Sequence, residues 1–126
     1  MEMALITAMM IACLQLKHFV ADYVLQPDWV LRGKGDLRMI GGYVHAGTHA
    51  LGTVPALLLV GADLGRVVVL VLAEFIVHYL IDYAKAFLSL RSSADASTRA
   101  YWAMHGADQL MHQLTYAGLI LATLVY

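Results

Sequence analysis

The sequence predicts an all-α, integral-membrane four-helix bundle, and three observations carry that expectation. Of 126 residues, 61% are hydrophobic and only 13% charged, where an ordinary soluble domain carries about a quarter charged residues. Mean hydropathy is +0.71. Four apolar segments, separated by Gly, Pro, Ser and charged breaks, each approach the roughly 20 residues that span a bilayer. Together they fill residues 1–126 as a single four-helix transmembrane domain.

The first helix is expected over residues 3–25. No Lys or Arg precedes its apolar run and no small-residue cleavage pattern closes it, so it reads as a retained helix rather than a signal peptide. Residues 26–41 hold Pro27, Gly33, Gly35, Gly41 and several charges. That composition predicts a loop, with room for one short interfacial helix near Trp29. The second helix is expected over 42–60 and ends in a tight turn, Gly61 to Gly65. The third runs over 66–90. A Ser- and Ala-rich connection, Arg91 to Thr98, offers Ser93 or Ser97 as a cap for the fourth, over 99–126.

Charge and cysteine usage exclude other classes. A net charge of −1 without a basic cluster gives no field for a nucleic-acid backbone. The one cysteine, Cys13, excludes a disulfide framework and a CxxC metal or redox motif.

The polar residues are not scattered. Taken as alternating spans, the helices place His18 and Asp22, His45 and His49, His78 and Asp82, and His105, Asp108 and His112 toward one side. Glu74 alone lies deeper, about 12 Å beyond Asp82 at 1.5 Å per residue. Residues three, four or seven apart share a helix face, so each helix carries one polar stripe. An ionisable group facing hydrocarbon costs several kcal/mol, so the stripes are expected to turn inward and form a cavity open to that side. Lys17, Arg32, Lys34, Arg38, Lys85, Arg91 and Arg99 fall on the same side, and Arg66 at the opposite turn. The positive-inside rule makes the polar side cytoplasmic and puts both termini outside. Trp29, Tyr101, Trp102 and Tyr126 fit interfacial aromatic belts.

Imidazoles and carboxylates at this density, without thiolate, suit a divalent metal: Zn²⁺ first, with Mn²⁺ and Fe²⁺ open. His18, Asp22, His45, His49, His78, Asp82, Asp108 and His112 are the candidate ligands, enough for two ions. Asp108 or Glu74 is the candidate general base, and Lys85, with Arg91 or Arg32, the candidate holder of a phosphate. Plainer roles stay open for some. His18 and His105 suit interhelical hydrogen bonds, Glu74 suits a proton relay, and Asp82 can pair locally with Lys85. Gln15 and Gln109 read as interhelical contacts, and the seven methionines form no regular stripe.

The stretches His18-Phe-Val-Ala-Asp22, His45-Ala-Gly-Thr-His49 and Glu74-x3-His78-x3-Asp82, followed by Asp108-Gln109-x-x-His112, resemble a bacterial family of small multi-pass membrane proteins of unknown function. More distantly, they are similar to inner-membrane metal-dependent hydrolases and, through these, to the all-helical zinc phospholipase C and single-strand nuclease group. The resemblance implies a bacterial inner-membrane location and a multinuclear zinc site hydrolysing a phosphoester, with the eight candidate ligands as its donors. The N-terminal tryptophan ligand of the soluble group has no counterpart here. The expected function is therefore a metal-dependent hydrolase of a lipid or lipid-linked phosphoester. Membrane lipid is its expected partner, and a homo-oligomer stays open. A proton- or metal-ion transporter subunit, a non-enzymatic metal-stabilised scaffold and a di-iron oxidase are the competing readings.

Overall fold

The computed structural model describes residues 2–125. Five α-helices follow one another: α1 (Glu2–Tyr23), α2 (Asp28–Gly33), α3 (Ile40–Leu59), α4 (Leu64–Arg91) and α5 (Arg99–Val125). Among the described residues there is no strand, so the all-α expectation holds. The four long helices start and end within two residues of the expected bounds, and α2 is the short helix that carries Trp29. The count is thus five rather than four. Met1 and Tyr126, the latter read above as interfacial, lie outside the described residues.

Helix α3 is the central element, packed against α4, α1 and α2, while α5 packs against α4 and more sparingly against α1. Its C-terminus is closed by a Schellman motif. Ala62 N–H donates to Leu57 O at 3.1 Å and Gly61 N–H to Leu58 O at 3.0 Å, and Gly61 takes φ +79°, a left-handed conformation that favours glycine. Asp63 then caps α4 by accepting the Arg66 N–H at 3.1 Å. That hydrogen bond holds its carboxyl below the ordinary aspartate value. At the start of α5 the cap differs from expectation. Thr98 Oγ1 accepts the Tyr101 N–H, because Ser97 is already engaged by the Asp95 carboxylate and Ser93 lies too far upstream.

Glycine decides how α2 reaches the bundle. A Cβ on Gly41 would stand 2.7 Å from Trp29 O, and one on Gly33 would stand 2.7 Å from the Gly41 Cα. The backbones of α2 and α3 therefore touch where any side chain would hold them apart. This contact brings Lys34 over the bundle, where it meets Asp82 of α4 at 2.9 Å.

The interior divides along its length. One half is an apolar cluster of Met10, Leu14, Ala56, Leu57, Val67, Tyr116, Leu119 and Ile120. The other half buries His18, His45, His49, His78, Asp82, Asp108 and His112. The outside is the reverse of a water-soluble surface. Leu16 and Phe19 of α1, Leu51 of α3, Leu72 and Ile76 of α4, and Leu110 and Leu114 of α5 are all more than half exposed. By length and composition α1 and α4 are apolar enough to cross a membrane. Helices α3 and α5 are not among these candidate spans; they carry His45, His49, four glycines and Pro55, and His105, Asp108, Gln109, His112 and Gln113 respectively.

Candidate metal centre

Each of the four long helices delivers two donor side chains one turn apart, and all eight converge on one volume. Asp22 of α1 is the first hub. Its Oδ2 lies 3.1 Å from His18 Nε2, and its Oδ1 lies 3.1 Å from both His45 Nε2 and His49 Nε2. Asp82 of α4 is the second. Its Oδ2 lies 3.3 Å from His45 Nε2 and 3.5 Å from His78 Nε2, and its Oδ1 lies 3.3 Å from His112 Nε2. Asp108 Oδ1 joins at 3.5 Å from His112 Nε2. The rings crowd each other as well: His49 and His78 stack with centroids 3.8 Å apart, and His78 and His112 lie 4.3 Å apart.

The His49–Asp22 contact has hydrogen-bond geometry, but several of the others do not. Buried polar atoms nearly always find hydrogen-bond partners. Yet His45 Nε2, His78 Nε2 and Asp108 Oδ1 are buried without one, although opposite donors stand 3.1 to 3.5 Å away. The atoms are close in distance but not directed at each other. Ligands about 2.1 Å from a shared cation are separated by about 3.4 Å in a tetrahedron and about 3.0 Å along an octahedral edge. The contacts at 3.1 to 3.3 Å fall in that window, and the two at 3.5 Å lie just beyond it.

Three sets of donors lie within 4.8 Å of one another: His18, Asp22 and His49; His78, Asp82 and His112; and His45, His49 and His78. The first two share no residue, so they can hold two ions at once. His45 stands between them, within 3.3 Å of both Asp22 and Asp82. Asp108 supplements the second set.

A supporting layer fixes the donors. Tyr116 OH lies 2.7 Å from His18 Nδ1 and 3.4 Å from His49 Nδ1, so one hydroxyl can orient two rings with their Nε2 atoms facing the centre. Gln109 Oε1 lies 3.2 Å from His18 Nε2, the nitrogen that also faces Asp22, so it stands at the edge of the centre itself. Lys17 of α1 ties all four long helices together. It pairs with buried Glu74 of α4, donates to the His49 carbonyl of α3 at 3.0 Å and lies over the Tyr116 ring of α5.

Above the donors a pocket of about 300 Å³ opens between the C-terminal ends of α1 and α4, the start of α5 and α2. Asp22, Asp82 and Asp108 form its floor, and Lys34, Lys85, His105 and Ser89 stand at its rim. Lys85 Nζ lies 2.7 Å from Asp108 Oδ2 and 3.4 Å from His105 Nδ1.

Residues 9–125 match the family described as Protein of unknown function (DUF3307). The chain belongs to this family. All eight donors, Lys17, Lys85 and Tyr116 fall inside the match to DUF3307. No curated protein and no solved structure matches the chain.

All eight sequence-selected donors are thus brought together. Glu74 is not: it is tied to Lys17, apart from both triads. Lys85 reaches the rim, but on Asp108, whereas Asp82 takes Lys34 in place of the local pairing with Lys85. Gln15 pairs with Gln113 across α1 and α5, and Gln109 of α5 meets His18 of α1, both interhelical contacts as expected. Sequence reasoning missed Lys17, Lys34 and Tyr116. Tyr116 extends the Asp108, His112 column by one more turn, and that spacing was a usable signal.

Proposed function

We propose that this chain is a membrane-embedded, metal-dependent hydrolase of lipid or lipid-linked phosphoesters, working from the cytoplasmic side of a bacterial inner membrane with Zn²⁺ as its resident ion. The observation that carries the reading is the pair of disjoint His/Asp triads beneath a lysine-rimmed pocket. Five imidazoles with carboxylates and no thiolate favour Zn²⁺ over Mg²⁺ or Cu⁺. The apolar exterior around a charged interior favours lipid as the surrounding medium. Arg32, Arg38, Arg91 and Arg99 at the polar end favour a cytoplasmic pocket.

Divalent ions held by His18, Asp22 and His49 and by His78, Asp82 and His112 would supply a Lewis acid and a water acidified toward neutral pH. The chain's own residues do the rest. Metal-binding imidazoles are neutral, so only the three carboxylates Asp22, Asp82 and Asp108 offset two dications. With both ions bound one net positive charge would remain, and Lys34 and Lys85 would raise it to three. Such a pocket selects an anion. Lys34 and Lys85 stand where they can hold a phosphate against the centre, and Asp108, whose Oδ2 faces Lys85 at the pocket, can take a proton on that oxygen once the phosphate has drawn Lys85 away. Glu74 braces the helices through Lys17 and is withdrawn from the chemistry.

The test is elemental analysis of protein purified without a histidine tag, followed by phosphate release from phosphatidic acid in mixed micelles. Stoichiometric zinc, turnover abolished by chelation and turnover restored by zinc are expected. Protein free of transition metal and inert after zinc loading would overturn the reading. Iron with oxygen consumption would assign a di-iron oxidase instead. Proteoliposome flux that needs Glu74 but not His49 or His78 would assign a transporter.

A further inference from the structure

We infer that the groove between α4 and α5 is an acyl-chain site, and that the Lys85–Asp108 ion pair marks the point where a chain-bearing phosphate turns from this groove into the pocket. The inference rests on the proposed hydrolase and specifies how its substrate is held. Leu80, Ala84 and Leu88 line one wall of the groove and Met104, Ala107 and Met111 the other. The spacing is i, i+4, i+8 on α4 and i, i+3, i+7 on α5, so each set is one helix face. The two alanines end at Cβ and leave a space of about 350 Å³. An apolar cavity of about 150 Å³ accepts benzene, so this space suits on the order of a dozen carbons, which is one chain segment and not a helix.

Continuity and charge identify the occupant. Lys85 and Asp108 line both the groove and the polar pocket, so the two spaces share one corner. At that corner the Lys85 side chain is 33% exposed and the Asp108 side chain only 3%. The ammonium therefore meets an arriving head group before the carboxylate does. A phosphate that takes Lys85 from Asp108 Oδ2 leaves this oxygen to Gln109 Nε2, 3.2 Å away, and puts the anion beside the donors. An apolar channel ending on a lysine fits an anionic single-chain head, and a neutral hydrocarbon would gain nothing from the corner.

The probe is dodecyl phosphate carrying a photoactivatable diazirine near the chain end, added to the zinc-loaded full chain in phosphatidylcholine nanodiscs. Mass spectrometry is expected to place the label on residues 80–88 and 104–111. Ala107→Phe, which fills the groove, is expected to cut that labelling about tenfold, with Ala84→Phe as an independent second block. Label spread over the outward faces of α1 and α3, or label indifferent to both substitutions, would overturn the inference. So would substitutions that leave labelling intact and convert a dimer to a monomer, because the groove would then seat a second copy. Phosphatidic acid turnover without groove labelling sinks the groove and leaves the hydrolase. Groove labelling without turnover does the reverse.

Discussion

Removing one imidazole from each triad in turn should strip the two ions one at a time. His18 serves only the Asp22 side of the centre and His112 only the Asp82 side. The two triads share no side chain, so each variant should spare the other ion. Apparent zinc affinities of about 10–16 kcal/mol spread over four ligands give roughly 3 kcal/mol per ligand. A loss of that size weakens binding by more than about a hundredfold. His18→Ala and His112→Ala are each expected to retain about one ion per chain after dialysis against a chelator, and the double variant none. His45→Ala should weaken both sites, because its Nε2 stands within 3.3 Å of both aspartates. Elemental analysis and the chelator-induced fall in Tm read the outcome. Wild-type protein with no divalent ion, or either single variant losing both ions, would refute the reasoning.

The brace around the centre gives further tests. Lys17→Met leaves Glu74 buried at 1% exposure without its cation, so a loss of about 3–5 kcal/mol is expected. Lys17→Met with Glu74→Leu should recover most of it, and thermal unfolding of both variants in one detergent checks the pair. Gly41→Ala drives a methyl against backbone atoms of Trp29 and Val30. It should lower stability by about 1–3 kcal/mol and loosen Lys34 from Asp82, read as a lower Tm and weaker phosphate binding. Tyr116→Phe keeps the packing volume but removes the hydroxyl beside His18 Nδ1 and His49 Nδ1. It should weaken zinc binding about 10- to 100-fold with little change in the metal-free Tm, measured by competition with a chromophoric chelator.

The donor set was legible because long apolar stretches leave few positions for charge and the helical period assigns those to one face. His45 and His49, or His78 and Asp82, need no knowledge of their neighbours to be placed together. The brace was harder to read. Among the basic residues Lys17 counts in the sequence only toward orientation, yet it sits five residues inside Asp22, at a depth that suits Glu74. Depth on both helices, compared rather than assigned singly, would have paired them. Lys34 was beyond reach for another reason. Its position depends on the backbone contact of Gly33 with Gly41, and periodicity says nothing about how a loop folds back. Ser97 was read as a cap without weighing Asp95, which competes for it.

The division of donors between triads follows the order of the chain. His18, Asp22 and His49 belong to α1 and α3, and His78, Asp82 and His112 to α4 and α5. Polypeptides emerge from the ribosome N-terminus first, so the leading half carries a complete three-donor set before the trailing half exists. On the proposed reading, the leading half could therefore take up its ion before the trailing half is made. Two fragments severed at the Gly61 turn would then each carry one complete triad into the reassembled whole.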